Sequence, residues 1–269
     1  MKNRLHLLAF PGYCLAMNRR AWACILCFVL LAPFAHATER PYLLHLPGIG
    51  GTMRIDRSMT SGLLEGVDAD LEIYDWTCND RGLDALLAYK RNHQQALVVA
   101  QKLEHQFREH PQTPILLTAH SGGTGIAVWA LEALPADVKV DTVVLLASAL
   151  SPQYNLTAAL KHVSRNLYNL SSQGDSTVLG LGTQMFGTID GIKTEAAGKI
   201  GFIVPQTAPR DLYTKLVEIP YREQWIELNN NGTHIGPMTK LFARTILSAL
   251  LLHHPLPEIV VPTTQAVGE

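Results

Sequence analysis

The chain has 269 residues, 47% of them hydrophobic and 17% charged, with a formal net charge of −1. That length suits one large domain. The near-neutral balance leaves no basic footprint for nucleic acid, so a nucleic-acid partner is not expected.

The first 37 residues read as a separate unit. Arg19 and Arg20 precede the apolar run 21–34, and Ala35-His36-Ala37 follows. A positive stretch, an apolar stretch and an A-x-A site make a secretory signal peptide. The run is short for a bilayer-spanning helix, which needs roughly 20 residues. Met17 stands directly before Asn18-Arg19-Arg20, so either Met1 or Met17 can be the start. Cleavage after Ala37 takes four of the 22 basic residues and none of the 23 acidic ones, and the net charge moves from −1 to −5. It also removes Cys14, Cys24 and Cys27. Cys78 then remains alone, and no internal disulfide can form; a domain this large can rely on its core. The expected product is periplasmic or secreted, without stable membrane insertion. The alternatives are an uncleaved N-terminal anchor and a lipid-modified Cys27, although Cys27 lacks the small residue expected just before it.

Beyond residue 37, strands and helices alternate. Strands are read at Pro41–Leu46, Leu71–Trp76, Ile115–Thr118, Thr142–Ala147, Arg165–Leu170 and Lys215–Ile219. Helices are read at Arg57–Leu64, Ala85–Glu109 with a break near Asn92, Gly125–Leu134, Leu156–His162 and Met238–Leu252. The strand 142–147 is uncharged, which fits a parallel sheet buried on both faces. The order implies an α/β fold, a mostly parallel sheet with helices on both faces. Sites in such sheets collect at the carboxyl ends of the strands. The main domain runs over 38–254, and the Pro-rich 255–269 reads as a surface tail.

Ser121 stands at the end of one such strand, in Ala119-His120-Ser121-Gly122-Gly123, and a helix follows at once. A strand, a very tight turn and a helix force the serine into a strained backbone conformation and hold its hydroxyl clear of the chain. The positions two before and two after must be small; Ala119 and Gly123 are. This is the nucleophile elbow, with Ala in place of its first Gly. The plain alternative is an ordinary Gly-rich turn.

A serine hydroxyl needs a base, and the base needs an acid to fix its tautomer. Downstream histidines are His162, His234, His253 and His254. His253 and His254 end a helix and read as solvated, and His162 lies ahead of the acid. His234 occupies a polar loop before the final helix, from which it could reach over the sheet edge. For the acid, Asp175 follows the 165–170 strand directly, and Asp190 is the second choice. The oxyanion of a tetrahedral intermediate needs about two N–H donors. Gly122, just after the serine, supplies one. The first loop, Leu46-Pro47-Gly48-Ile49-Gly50-Gly51, supplies the other through Ile49.

Together these segments resemble the α/β-hydrolase superfamily of serine esterases and lipases over roughly Pro41 to His254. The resemblance implies a triad of Ser121, Asp175 and His234, with oxyanion donors Ile49 and Gly122. Pro47 departs from the His that many members carry there, and His120 beside the serine matches a common G-H-S variant. The resemblance leaves space for only a minimal cap between 147 and 164. The Gly-rich 176–202 reads as an irregular loop or as a flap, and Trp76 as core or as the wall of an acyl pocket. The implied activity is cleavage of a small-molecule or lipid carboxylic ester through an acyl-serine. Acyl transfer and amide cleavage use the same groups, and a catalytically silent binding protein is the rival. No metal or cofactor is implied.

Overall fold

The computed structural model describes residues 39–175 and 187–259. Residues 1–38, which include the stretch read as a signal peptide, residues 176–186 of the Gly-rich stretch and residues 260–269 of the tail lie outside the described residues. Six strands form one sheet: β1 (Tyr42–Leu46), β2 (Asp70–Ile73), β3 (Ile115–His120), β4 (Thr142–Leu146), β5 (Leu167–Ser171) and β6 (Leu216–Pro220). Their order is β2-β1-β3-β4-β5-β6, and every neighbouring pair is parallel. Each strand lies within a few residues of its expected place. The second is shorter than expected, because the chain leaves the sheet after the Tyr74 N–H bonds the His45 carbonyl at 3.0 Å.

Parallel strands need crossovers, and the helices supply them on both faces. Side chains alternate across each strand, so Leu44, Leu46, Leu117, Val143, Leu145 and Leu167 enter one core. Leu43, Leu116, Val144, Leu146, Leu170 and Ile219 enter the other. Burying one such side chain contributes roughly 1.5–3 kcal/mol. Helices α2 (Leu83–Leu87), α3 (Tyr89–Glu109), α4 (Gly123–Glu132) and α5 (Thr157–Leu160) contribute to the first core, and α1 (Arg54–Gly66) to the second. Every residue of α4 from Gly123 to Leu131 is buried, as a helix that is apolar all round must be. Short helices α6 (Ala197–Ile200) and α7 (Arg210–Tyr213) lie between β5 and β6.

The expected helix over 85–109 is two helices, and the break falls at Ala88 rather than Asn92. Asn92 nevertheless makes the break stable. Its buried amide donates to the carbonyls of Ala85 at 2.9 Å and Leu86 at 3.3 Å, two groups orphaned where α2 ends. The last helix, α8, covers the second core and consists of Lys240–Phe242, a π turn at Ala243–Leu247 and Ser248–Leu251. Its contact with α1 is close. A Cβ at Gly62 would lie 2.9 Å from the Lys240 carbonyl carbon, and one at Gly66 would lie 2.6 Å from Ser248 Cβ. The tail beyond Pro255 begins packed, with Leu256 and Ile259 against the second core.

Candidate active site

Ser121 follows β3 with φ of 52°. That left-handed conformation costs an L-residue about 1–2 kcal/mol. The neighbours hold it: the Ser121 N–H donates to Leu146 O on β4 at 2.9 Å, and Ser121 O accepts the Thr124 hydroxyl at 2.6 Å. The turn is as tight as the sequence demands. Ala119 is fully buried, and a Cβ at Gly123 would overlap the Leu46 and Pro47 carbonyl oxygens.

Asp175 closes the turn after β5, and His234 sits in the loop before α8. The His234 Nδ1–H donates to Asp175 Oδ1 at 2.8 Å, with side chains only 8% and 4% exposed. A proton on Nδ1 leaves Nε2 with a free lone pair, the form a general base needs. The two loops are tied together, since Ser172 Oγ donates to Gly232 O at 2.5 Å. Within the base loop the Asn230 side chain accepts the Gly232 N–H at 3.0 Å. Asp190, the second choice of acid, is engaged elsewhere: its carboxylate accepts the Ser151 N–H at 2.9 Å and the Ser151 hydroxyl at 2.6 Å.

Among the described residues no hydrogen bond joins the Ser121 hydroxyl to the His234 imidazole. Such catalytic bonds are often long until substrate tightens them. His120 links the two residues instead. It adjoins Ser121 in sequence, its ring centroid lies 4.9 Å from that of His234, and its Nε2–H donates to the His234 carbonyl at 3.1 Å. Its Nδ1 is buried without a partner among the described residues. Burial, and then the nearby His234, push the His120 pKa down to about 3, so the ring is neutral at physiological pH.

The segments that carry the expected oxyanion donors, Ile49 and Gly122, are in contact. A Cβ at Gly122 would fall 2.6 Å from Ile49 Cγ2, so the first loop lies directly on the elbow. Neither the Ile49 nor the Gly122 N–H has an acceptor among the described residues. Two unengaged, adjacent backbone donors beside a strained serine can receive a developing oxyanion. Trp76, fully buried, is core, as one reading had it, and its indole N–H also donates to Pro47 O at 2.7 Å.

The other histidines lie apart from this site. His162 Nδ1 pairs with Val138 O at 2.9 Å. His253 is not solvated as expected: its Nε2 pairs with Thr142 Oγ1 at 2.7 Å, where β4 begins. His254 is exposed. The described part of the Gly-rich stretch is anchored, with Ile189 buried and its N–H on Ala149 O at 3.0 Å.

Sequence reasoning missed a second buried His–Asp pair. His45 bonds Thr118 Oγ1 at 3.0 Å through Nδ1 and Asp56 Oδ1 at 3.1 Å through Nε2. Burial raises the Asp56 carboxyl, but hydrogen bonds from His45 and the Met53 N–H outweigh it and hold its pKa below the ordinary value. The available signal was His45 itself, a histidine in the middle of an apolar run, which had to find partners inside. Among the described residues, no group of three or more His, Cys, Asp or Glu is placed to hold a metal, and no helix is long and apolar enough to cross a membrane. A cavity of about 710 Å³ between α1 and α8 is lined in part by Ile55, Ile235, Met238 and Leu241, but not by Ser121, Asp175 or His234.

No protein-family model matches the chain, and no curated protein does. Solved structures do. A cutinase-like protein from Cryptococcus sp. is similar over 80% of this chain and 97% of its own, at 11% identity and a TM-score of 0.41. An esterase from Pyrococcus furiosus is similar over 80% and 83%, at 10% identity and 0.48. A dienelactone hydrolase from Anabaena variabilis is similar over 80% and 88%, at 15% identity and 0.44. Likenesses this remote decide nothing about chemistry. The sheet order, the all-parallel pairing, the elbow after β3 and the loops after β5 and β6 are features of this chain itself, and on them it has the α/β-hydrolase fold.

Proposed function

We propose that this chain is an exported serine hydrolase of carboxylic esters. The observation that carries the reading is the buried 2.8 Å His234–Asp175 pair, with His234 packed against His120, whose chain neighbour Ser121 is held at φ 52°. In the proposed cycle Ser121 Oγ attacks the ester carbonyl and passes its proton to His234 Nε2. Asp175 stabilises the imidazolium, and the N–H groups of Ile49 and Gly122 hold the oxyanion. His234 then protonates the leaving alcohol. Water, deprotonated by His234, releases the acid from Ser121. Nothing in the cycle calls for a metal or cofactor. The partner is a small-molecule or lipid ester, and the signal peptide read over residues 1–37 supports delivery to the periplasm or medium.

A fluorophosphonate probe tests the reading. The wild type labels and hydrolyses aryl esters, and Ser121→Ala does neither. A folded wild type that does not label would favour the silent binding protein. Transfer of the acyl group to an added alcohol or amine in preference to water would instead reveal a transferase.

A further inference from the structure

The first loop is gripped from outside by the segment that follows β2. Trp76 Nε1–H donates to Pro47 O at 2.7 Å. The Gly82 N–H donates to Ile49 O at 2.9 Å. Asp75 Oδ2 accepts the Thr52 N–H at 3.0 Å, and the Thr77 hydroxyl donates to Asp75 Oδ1 at 2.6 Å. Burial raises the Asp75 carboxyl, but the Thr77 and Thr52 bonds and the nearby Arg81 outweigh it and keep it below its ordinary pKa, so it stays an acceptor. From within the loop, the Gly51 N–H bonds Gly48 O at 3.0 Å. The carbonyls of Pro47, Gly48 and Ile49 are thus all engaged, while the Ile49 N–H has no acceptor among the described residues. A loop pinned through its carbonyls keeps its free N–H in one direction.

Trp76 differs from the other grips in touching both sides of the oxyanion site. A Cβ at Gly122 would lie 3.2 Å from Trp76 Cζ2 and 3.5 Å from Cη2. One rigid, fully buried ring therefore bonds the loop through Nε1–H and abuts the elbow through the neighbouring Cζ2 and Cη2. We infer that Trp76 is a positioning residue that sets the distance between the Ile49 and Gly122 N–H donors. It touches neither substrate nor nucleophile and acts through the two segments it contacts. The inference rests on the hydrolase reading and adds to it a residue that the triad does not contain.

The physical consequence is selective. Ground-state binding does not depend on the spacing of the two donors, whereas stabilisation of the tetrahedral oxyanion does. Two variants isolate the effect. Trp76→Phe keeps an aromatic ring and deletes the N–H. Replacing Trp76 with β-(3-benzothienyl)alanine by codon suppression keeps the bicyclic shape and exchanges only N–H for sulfur, which guards against a simple packing failure. Both should lower kcat by on the order of tenfold to a hundredfold, as misplacement near reacting groups does, with KM within about twofold, the signature of an interaction made only in the transition state. Affinity for a trifluoromethyl ketone, which forms a serine hemiketal with an oxyanion, should fall in step with kcat/KM. The inference is overturned if the benzothienyl variant keeps wild-type kcat. It is also overturned if both variants lose activity only in proportion to the folded, fluorophosphonate-titratable fraction. A wild type that neither labels nor turns over would overturn the hydrolase reading first, a result visible before any variant is made.

Discussion

Among the described residues there are two buried His–Asp pairs, and they differ in what is left over. His45 has both ring nitrogens occupied, one by Thr118 and one by Asp56. His234 has Nδ1 on Asp175 and no partner for Nε2 among the described residues. Both aspartates are buried. The first pair joins a strand to the start of a helix, deep in the second core. The second joins two loops at the rim where β3 places the serine. A buried His–Asp pair is therefore not in itself a sign of catalysis. The sign is an unspent nitrogen beside a group that has a proton to give.

The largest test separates the pairs by activity. Asp175→Asn should lower kcat by about 10⁴-fold, because the imidazole loses its correct tautomer, while the melting temperature changes little. Stopped assays with active-site titration measure the first and thermal melting the second. An unchanged kcat would mean that the rim pair is as structural as the interior one. Next, Gly122→Ala places a methyl 2.6 Å from Ile49 Cγ2. It should lower kcat by roughly a hundredfold, in the range for loss of one oxyanion donor, with little change in KM.

The interior pair should behave oppositely. Asp56→Ala strips one partner from His45 and from the Met53 N–H, at a cost of about 3 kcal/mol. A drop of roughly 10 °C in melting temperature is expected, at about 2–4 °C per kcal/mol for a domain this size. Activity per titrated site should stay within about threefold. A larger loss would tie the interior pair to the chemistry after all.

Two smaller effects sharpen the boundary between these regions. His120 sits between them, neutral, with its pKa lowered from 6.5 to about 3. In that window the unfolded chain binds the proton and the folded chain does not, so stability contributed by neutral His120 is complete above about pH 6.5 and falls away toward pH 3. His120→Gln retains a donor for the His234 carbonyl and cannot titrate. Its melting temperature should therefore fall less between pH 7 and pH 4 than that of the wild type. Equal slopes would remove His120 as the acid-sensitive group. Last, Asp190→Asn should leave kcat within about twofold and cost on the order of 1 kcal/mol through the weakened Ser151 bonds, read by thermal melting.

What the sequence disclosed followed distance along the chain. The elbow was legible because strand, small residues, serine and helix are consecutive, and the parallel sheet because apolar runs alternate with helical spacing. The choice of Asp175 over Asp190 rested on its place just after a strand, and the His234 bond agrees with it. The His45–Asp56 pair was not legible, since its partners come from a strand face and a helix N-terminus that only the fold brings together. The break at Ala88 was missed by four residues because its stabiliser, Asn92, reaches back six and seven residues to Leu86 and Ala85. His253 looked solvated because the hydroxyl it meets, on Thr142, is 111 residues away.

The tight seam between α1 and α8 has a consequence for how the candidate site could be tuned. The backbone of α8 at Lys240 rests against the bare Cα of Gly62, and the chain reaches Lys240 only six residues after His234. A side chain added at Gly62 would push that end of the helix outward and carry the imidazole's loop with it. The geometry around His234 is thus exposed to change from a position remote from the serine, and a screen confined to the residues around Ser121 would overlook one of the shortest mechanical routes to that imidazole.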